Sequence, residues 1–346
     1  MPQLEPYWEL PYLYNRSTRA AFEYVGKKHI SDKLVFLHEN WLNLYEHNKD
    51  YSLLANRIRI AAKNSQRFPI LCLAWNYFHA DRIKLQLDQE LGNKNYFIIL
   101  TDFKHDTDCN TSVWPQCLVS MHSLPNYQIN CVKNYRISYL AGGVRYHRLS
   151  LWEKIKDLAT DKDIVVANRF GTENYKNSVN YQKISPEIAM QAADCWFKQL
   201  PWSNRPGLID NQDQTVLHSV NQWDNDHVAY NAMINITGET TTDDQFMITE
   251  KTWKAYRSGC LVINFGPTDT TEYLSNMGFG IWEQYDKFID TMGKIDFIQQ
   301  LFLRDDIADL YQKNIRMIQH NLNLVNSLDF IKKHTKSCID KIEALL

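Results

Sequence analysis

The chain has 346 residues, 44% of them hydrophobic and 23% charged, with 38 Lys and Arg against 40 Asp and Glu for a net charge of −2. That length suits one large or two ordinary domains, with two favoured, and the charge balance does not indicate a strongly basic nucleic-acid binder, though a local basic groove stays open. No apolar run reaches the ~18 residues a membrane span needs, the amino terminus lacks the basic-then-apolar layout of a signal peptide, and seven cysteines without close pairing read as reduced, buried thiols of a cytosolic protein.

Residues 1–50 are aromatic-rich and irregular, but Leu34, Val35, Leu37, Trp41, Leu42 and Leu44 predict a helix over residues 32–45. Residues 51–67 read as a basic helix carrying Arg57, Arg59, Lys63 and Arg67, either a solvated face or a flank that meets an anionic acceptor. Residues 68–75 form a buried strand candidate, followed by the loop Asn76-Tyr-Phe-His79 and a helix to about Leu91. Further strands are expected at residues 96–101 and 117–121. Strand and helix alternate, which argues for a parallel sheet covered by helices. Ligands of such sheets sit at the carboxyl ends of the strands. His79, Asp81, Asp102, His105 and Asp106 fall there, where a carboxylate also serves as a helix cap or turn residue.

A strand over residues 136–140 leads into Ala141-Gly-Gly-Val-Arg-Tyr-His-Arg148 and a helix to about Leu158. Gly142 and Gly143 allow close backbone approach, but the G-x-G-x-x-G pattern is not met and no dinucleotide is implied. Arg145, His147 and Arg148 at a glycine-loop-to-helix junction are either a phosphate site or surface basic residues. After a strand at residues 164–167, residues 170–228 are polar, with one helix near 186–199. A strand over residues 227–237 follows. Helices are expected over residues 283–303, 305–324 and 328–346.

Residues 247–267 read as a cap, a short helix, a stop, a buried strand and a turn. Thr249 is placed to cap the helix by accepting from a backbone N–H, Glu250 suits the positive helix end, and Gly259 suits a left-handed helix terminus. Cys260-Leu-Val-Ile-Asn264 is the apolar strand, broken at Gly266-Pro267. Lys251 puts a cation beside the positive helix end, which is mildly unfavourable unless a bound phosphate reverses the sign. A solvated surface lysine is the plain alternative.

Ala232-Met-Ile-Asn-Ile-Thr-Gly-Glu239, Ile248-Thr-Glu-Lys251 and Gly259-Cys-Leu-Val-Ile-Asn-Phe-Gly-Pro267, with Tyr273-Leu274 and Gly278-Phe279 behind them, resemble the donor-binding signature of the fucosyltransferase-like glycosyltransferases of the two-domain GT-B type. The Thr-Glu-Lys-Thr string is also similar to one in a group of tailed-phage proteins. The resemblance covers about residues 135–285. It implies an α/β fold of two Rossmann-like domains facing a cleft. Residues 1–134 would form an acceptor-side domain, 135–327 a nucleotide-sugar-binding domain and 328–346 a helix packing back on the first.

By the same resemblance Arg148, with Arg145 as runner-up, holds the donor diphosphate. Glu239 faces the donor sugar, and Thr249, Glu250 and Lys251 complete the site. Glu250 is of the right type to accept from ribose hydroxyls, as acidic residues do in nucleotide folds, with simple complementation of the helix dipole as the alternative. The base would be a first-domain carboxylate; Asp102 is the first candidate and His79 the second, both by position at strand ends. The expected co-substrate is a nucleotide sugar, with no metal and no further cofactor. Transfer is expected to invert the anomeric centre. Animal fucosyltransferases usually carry a membrane anchor, and without one this chain is expected in the cytoplasm, the host's if phage-encoded. A hydroxymethylated base flipped from double-stranded phage DNA is one acceptor; a glycan, lipid-linked sugar or protein is the competing set. Two alternatives stay open. One is a non-catalytic module of GT-B fold that binds sugar or phosphate. The other is a metal-dependent GT-A enzyme using Asp106-Thr-Asp108 or Asp224-Asn-Asp226.

Overall fold

A computed structural model describes residues 22–39, 52–73, 80–101, 111–115, 118–119, 133–141, 146–167, 231–239, 248–266, 269–282 and 291–346. The chain divides into two units, one of Met1–Asn126 with Ser327–Leu346 and one of Tyr127–Asn326. Each holds a four-stranded parallel sheet. The fold is thus mixed α/β with two parallel sheets and helices, compatible with a two-domain Rossmann-like arrangement. The first boundary falls between Asn126 and Tyr127 rather than at 134/135.

In the first unit β1 (Leu34–Glu39), β2 (Phe68–Leu73), β3 (Phe97–Thr101) and β4 (Thr111–Trp114) lie in chain order across the sheet. A short helix, α1 (Lys28–Ser31), leads into β1. The helix expected over residues 32–45 is corrected to strand over its described part. Leu34-Val-Phe-Leu37 is a contiguous apolar run, which fits either period. Pairing with Phe68–Leu71 buries Leu34 and Leu37 and satisfies the backbone, and that decides the outcome. Leu37, Leu71 and Ile98 are register partners and pack under α2 (Ser52–Ser65) and α3 (Ala80–Leu91) with Leu54, Ile58, Ile83 and Leu87. The strand expected at 117–121 is also corrected. The strand is β4, earlier in the chain at Thr-Ser-Val-Trp, and Leu118 and Val119 are helical, with Val119 N–H donating to the Pro115 carbonyl at 2.9 Å.

Helix α10 (Leu328–Glu343) belongs to this unit. Ser327 caps it, its hydroxyl accepting from Phe330 N–H at 3.2 Å. Its apolar face, with Phe330, Ile331, Cys338, Ile339 and Ile342, is buried. Lys341 ties it to the Thr111 carbonyl at 3.0 Å, and Glu343 pairs with Lys27 at 2.8 Å.

In the second unit the strands are β5 (Tyr135–Ala141), β6 (Ile164–Ala167), β7 (Ala232–Gly238) and β8 (Leu261–Phe265), in spatial order β6-β5-β7-β8. Strand order reverses between β5 and β7, so their carboxyl ends form a topological switch point, where open parallel sheets leave a crevice. Around the sheet are α4 (Tyr146–Ile155), α5 (Glu250–Arg257), α6 (Thr270–Asn276), α7 (Thr291–Phe302), α8 (Ile307–Lys313) and α9 (Ile315–Val325). The single helix expected over residues 305–324 is two helices. Asn314 breaks it by turning its side-chain amide onto the Leu310 carbonyl at 2.8 Å and becoming the cap position of α9.

One face of this sheet is apolar. Ile137, Tyr139, Ile234, Ile236, Ile263 and Phe265 pack against Leu151, Trp152 and Ile155 of α4 and Ile295 and Ile298 of α7. The other face carries buried Ser138, Asn235, Thr237 and Asn264. Among the described residues no helix is long and apolar enough to cross a membrane.

Candidate functional site

Alternation along β7 sends Ile234 and Ile236 to the apolar face and Asn235, Thr237 and Glu239 to the other. Buried polar groups are costly unless hydrogen-bonded, and most of these are. Asn235 Nδ2 donates to Ser138 Oγ at 2.8 Å, Asn264 Nδ2 donates to Thr252 Oγ1 at 2.7 Å, and the hydroxyls of Thr237 and Thr252 lie 3.1 Å apart. The row ends at the switch point on Glu239, which is fully buried.

Glu239 is the centre of the site. Its carboxylate accepts from the Thr249 N–H at 3.2 Å to each oxygen, from Thr249 Oγ1 at 2.7 Å and from Thr252 Oγ1 at 2.5 Å, with Asn264 Nδ2 at 3.5 Å. Its main-chain oxygen accepts from Arg148 Nε at 3.0 Å and lies 2.9 Å from His147 Nε2. Its N–H donates to the Phe265 carbonyl at 3.0 Å, extending the β7–β8 ladder by one residue. Arg148 and His147 come from the start of α4, and Thr249 and Thr252 from the start of α5, so one residue ties two helix N-termini together.

Close packing at this point depends on glycine. A Cβ on Gly266 would stand 2.7 Å from Asn264 Oδ1 and 2.8 Å from the Glu239 Cβ. Behind α5 the chain turns through Gly259 at φ 67°, with Gly259 N–H on the Tyr256 carbonyl and Cys260 N–H on the Ala255 carbonyl, the paired bonds of a left-handed helix terminus. The stop expected at Gly259 is therefore present.

Arg148 is 4% exposed, and Tyr139, beneath it, donates its hydroxyl to the Arg148 carbonyl at 2.9 Å. Burial raises the Tyr139 phenol well above the usual tyrosine range, and the nearby guanidinium offsets this in part. Lys251 is half-buried on the first turn of α5, and its ammonium donates to Thr249 Oγ1 at 3.3 Å. Arg148 and Lys251 thus belong to one network, Arg148 through the Glu239 main chain and Lys251 through Thr249.

The cap expected of Thr249 is corrected. Thr249 holds the cap position, but its side chain makes no capping bond and donates instead to Glu239. A buried carboxylate can only accept, so the hydroxyl is recruited as a donor. That carboxylate also supplies the negative charge the positive end of α5 favours. Glu250 opens α5 as expected, but its side chain lies outside the described residues, as do Arg145, His79 and Asp102. The strings at 106–108 and 224–226 and the polar stretch 170–228 lie outside them too. Among the described residues no group of His, Cys, Asp and Glu is arranged to hold a metal ion.

Sequence reading passed over Thr252, Asn264 and Lys294. Lys294, on α7, is 4% exposed and donates to the Gly266 carbonyl at 3.4 Å, a third cation at the carboxyl edge of the sheet. Polar residues at 235, 237 and 239 in an otherwise apolar strand were the available signal for Thr252 and Asn264, since buried polar rows need partners. Lys294 sits in an ordinary helical pattern with no such signal. Comparison with protein-family models, curated proteins and solved structures returned no match for this chain.

Proposed function

We propose that the second unit binds the diphosphate of a nucleotide sugar and that the chain is a GT-B glycosyltransferase acting on a hydroxyl acceptor. The supporting observation is that Arg148 and Lys251, on different helices, join one network at the switch point, Arg148 bonding the Glu239 main chain directly and Lys251 reaching Glu239 through Thr249. In the reaction the acceptor oxygen attacks the anomeric carbon while the bond from that carbon to the diphosphate oxygen breaks. The diphosphate leaves with the electron pair, and the acceptor proton passes to a base. Fixed positive groups stabilise the leaving charge without reorganising, an effect of ~10²–10³ in rate per donor. Arg148 and Lys251 take that role, Glu250 accepts from the ribose hydroxyls, and Asp102 or His79 takes the proton. The acceptor in this reading is a hydroxymethylated base of phage DNA, with a glycan as the competing class.

The test is calorimetric titration of the protein with UDP, GDP, ADP, CDP and dTDP. One of them is expected to bind, and Lys251→Ala to weaken it at least ~10-fold, the loss of one hydrogen bond to a charged group. No binding by any of the five, or unchanged binding in Lys251→Ala, removes the reading. Activity on hydroxymethylated duplex against oligosaccharide then separates the acceptors.

The enclosure of the Glu239 carboxylate favours a second reading. The anion at the N-terminal end of α5 is an internal one, as expected if the polar row is a scaffold and the chain a sugar- or phosphate-binding module without catalysis. Slow hydrolysis of a nucleotide sugar in the absence of acceptor counts against that alternative.

A further inference from the structure

The Glu239 side chain is 0% exposed and its oxygens are taken up by Thr249 and Thr252. We propose that Glu239 and Thr249 do not touch a ligand but are positioning residues, a relay that fixes the Lys251 ammonium; this rests on the reading that Lys251 meets the donor diphosphate.

The direction of each bond carries the argument. Asn264 Nδ2 donates to Thr252 Oγ1 at 2.7 Å, which leaves the Thr252 proton for Glu239 Oε1 at 2.5 Å. The carboxylate can only accept, so Thr249 Oγ1, 2.7 Å from Oε2, gives its single proton there. Its lone pairs are then the groups it presents to Lys251 Nζ at 3.3 Å. An ammonium carries three donors, and the one given to Thr249 anchors the end of the stem. The same residue seats Arg148 through its carbonyl at 3.0 Å, so the spacing of the two cations is set inside Glu239. A flexible lysine stem otherwise loses rotamer freedom on ordering. Prior fixing removes part of that cost from binding.

The test is a double-variant cycle read by calorimetry with the nucleoside diphosphate that binds the wild type most tightly among UDP, GDP, ADP, CDP and dTDP. Thr249→Val keeps the shape and removes the relay; it is expected to weaken binding about tenfold, and Thr249→Ser to restore it. Adding Lys251→Ala to Thr249→Val is expected to cost less than about a further twofold, because the two side chains act as one unit. A structural role alone lowers the melting temperature and leaves the Lys251 effect intact. If Thr249→Val does not fold, Glu239→Gln with Lys251→Ala completes the same cycle. Independent, multiplying effects, or a silent Thr249→Val beside a damaging Lys251→Ala, overturn the relay and spare the donor-site reading. A wild type that binds none of the five removes both.

Discussion

Arg148 Nε donates to the main-chain oxygen of Glu239 at 3.0 Å, joining positions 91 residues apart in the chain. The acceptor is a carbonyl, so the bond survives any side chain at 239 that keeps the backbone in place, but it requires a donor at the right point on residue 148. Lysine keeps the charge and loses the planar fork. Arg148→Lys is expected to lower the unfolding free energy by about 1–2 kcal/mol. The urea midpoint should fall with an unchanged slope. An unmoved midpoint would show that the carbonyl finds another partner.

Removing the Glu239 carboxylate is expected to cost more. Glu239→Ala strands the Thr249 N–H and hydroxyl and the Thr252 hydroxyl in a buried place. Each buried donor left without a partner costs ~1–3 kcal/mol, so a loss of at least ~3 kcal/mol is expected. Water entering the space left by the side chain would reduce it, and a loss under ~1 kcal/mol in chemical denaturation would mean the network is dispensable.

Two glycines beside Glu239 separate close packing from mere proximity. A Cβ at Gly238 meets Arg148 Cγ and Tyr139 Cε2 at 3.4 Å, an ordinary contact. At Gly266 it meets Asn264 Oδ1 at 2.7 Å and Glu239 Cβ at 2.8 Å. Gly266→Ala is therefore expected to destabilise by about 1–3 kcal/mol, and Gly238→Ala by less. Equal melting temperatures for the two variants would contradict the geometry.

Tyr139 gives an alkaline test. Its folded-state pKa is raised, with burial as the first cause, so its contribution is complete below the unfolded value of ~10 and is lost as pH rises beyond it. Stability should decline from about pH 10 upward, with the phenolate band of this residue appearing only on unfolding. Tyr139→Phe removes that part of the decline and, with the bond to the Arg148 carbonyl gone, costs about 1 kcal/mol at neutral pH. Identical alkaline limbs would refute it.

Most strands of both sheets were legible because short apolar runs bounded by breakers have few other uses in an alternating α/β chain. Residues 97–101, 164–167 and 261–265 are such runs. Misreading of β1 came from the same source. Leu34-Val-Phe-Leu37 is too short to show a period, and the partner that decides it, β2, lies about thirty residues away. In the candidate site Arg148, Glu239 and Lys251 were visible as residue types at element ends. What Glu239 does with its carboxylate was not. Whether a terminal carboxylate points outward or is enclosed depends on which hydroxyls β7, β8 and α5 bring to it, and that is a property of the packing. For the same reason Thr249, an ordinary cap by local rules, became a donor to a residue ten positions back.

His334 on α10 makes the acid side of the stability curve testable in the first unit. Its ring packs against Phe330 with centroids 4.4 Å apart, and its Nε2 is buried without a hydrogen-bond partner among the described residues. Burial, with the Lys333 charge as the lesser cause, holds its pKa down to about 4 from the usual 6.5. Between those values the unfolded chain binds the proton that the folded chain refuses, so stability rises with pH across this window. Read downward, the contribution is present above the unfolded value and is lost as pH falls toward the folded one. Other groups titrate in the same range, and comparison with His334→Gln isolates this one. The wild type is expected to lose stability more steeply than the variant between about pH 6.5 and 4, with the two curves converging on acidification. Urea midpoints taken at half-unit intervals measure it. Parallel curves would mean that the imidazole takes up its proton as readily in the folded helix as in the unfolded chain.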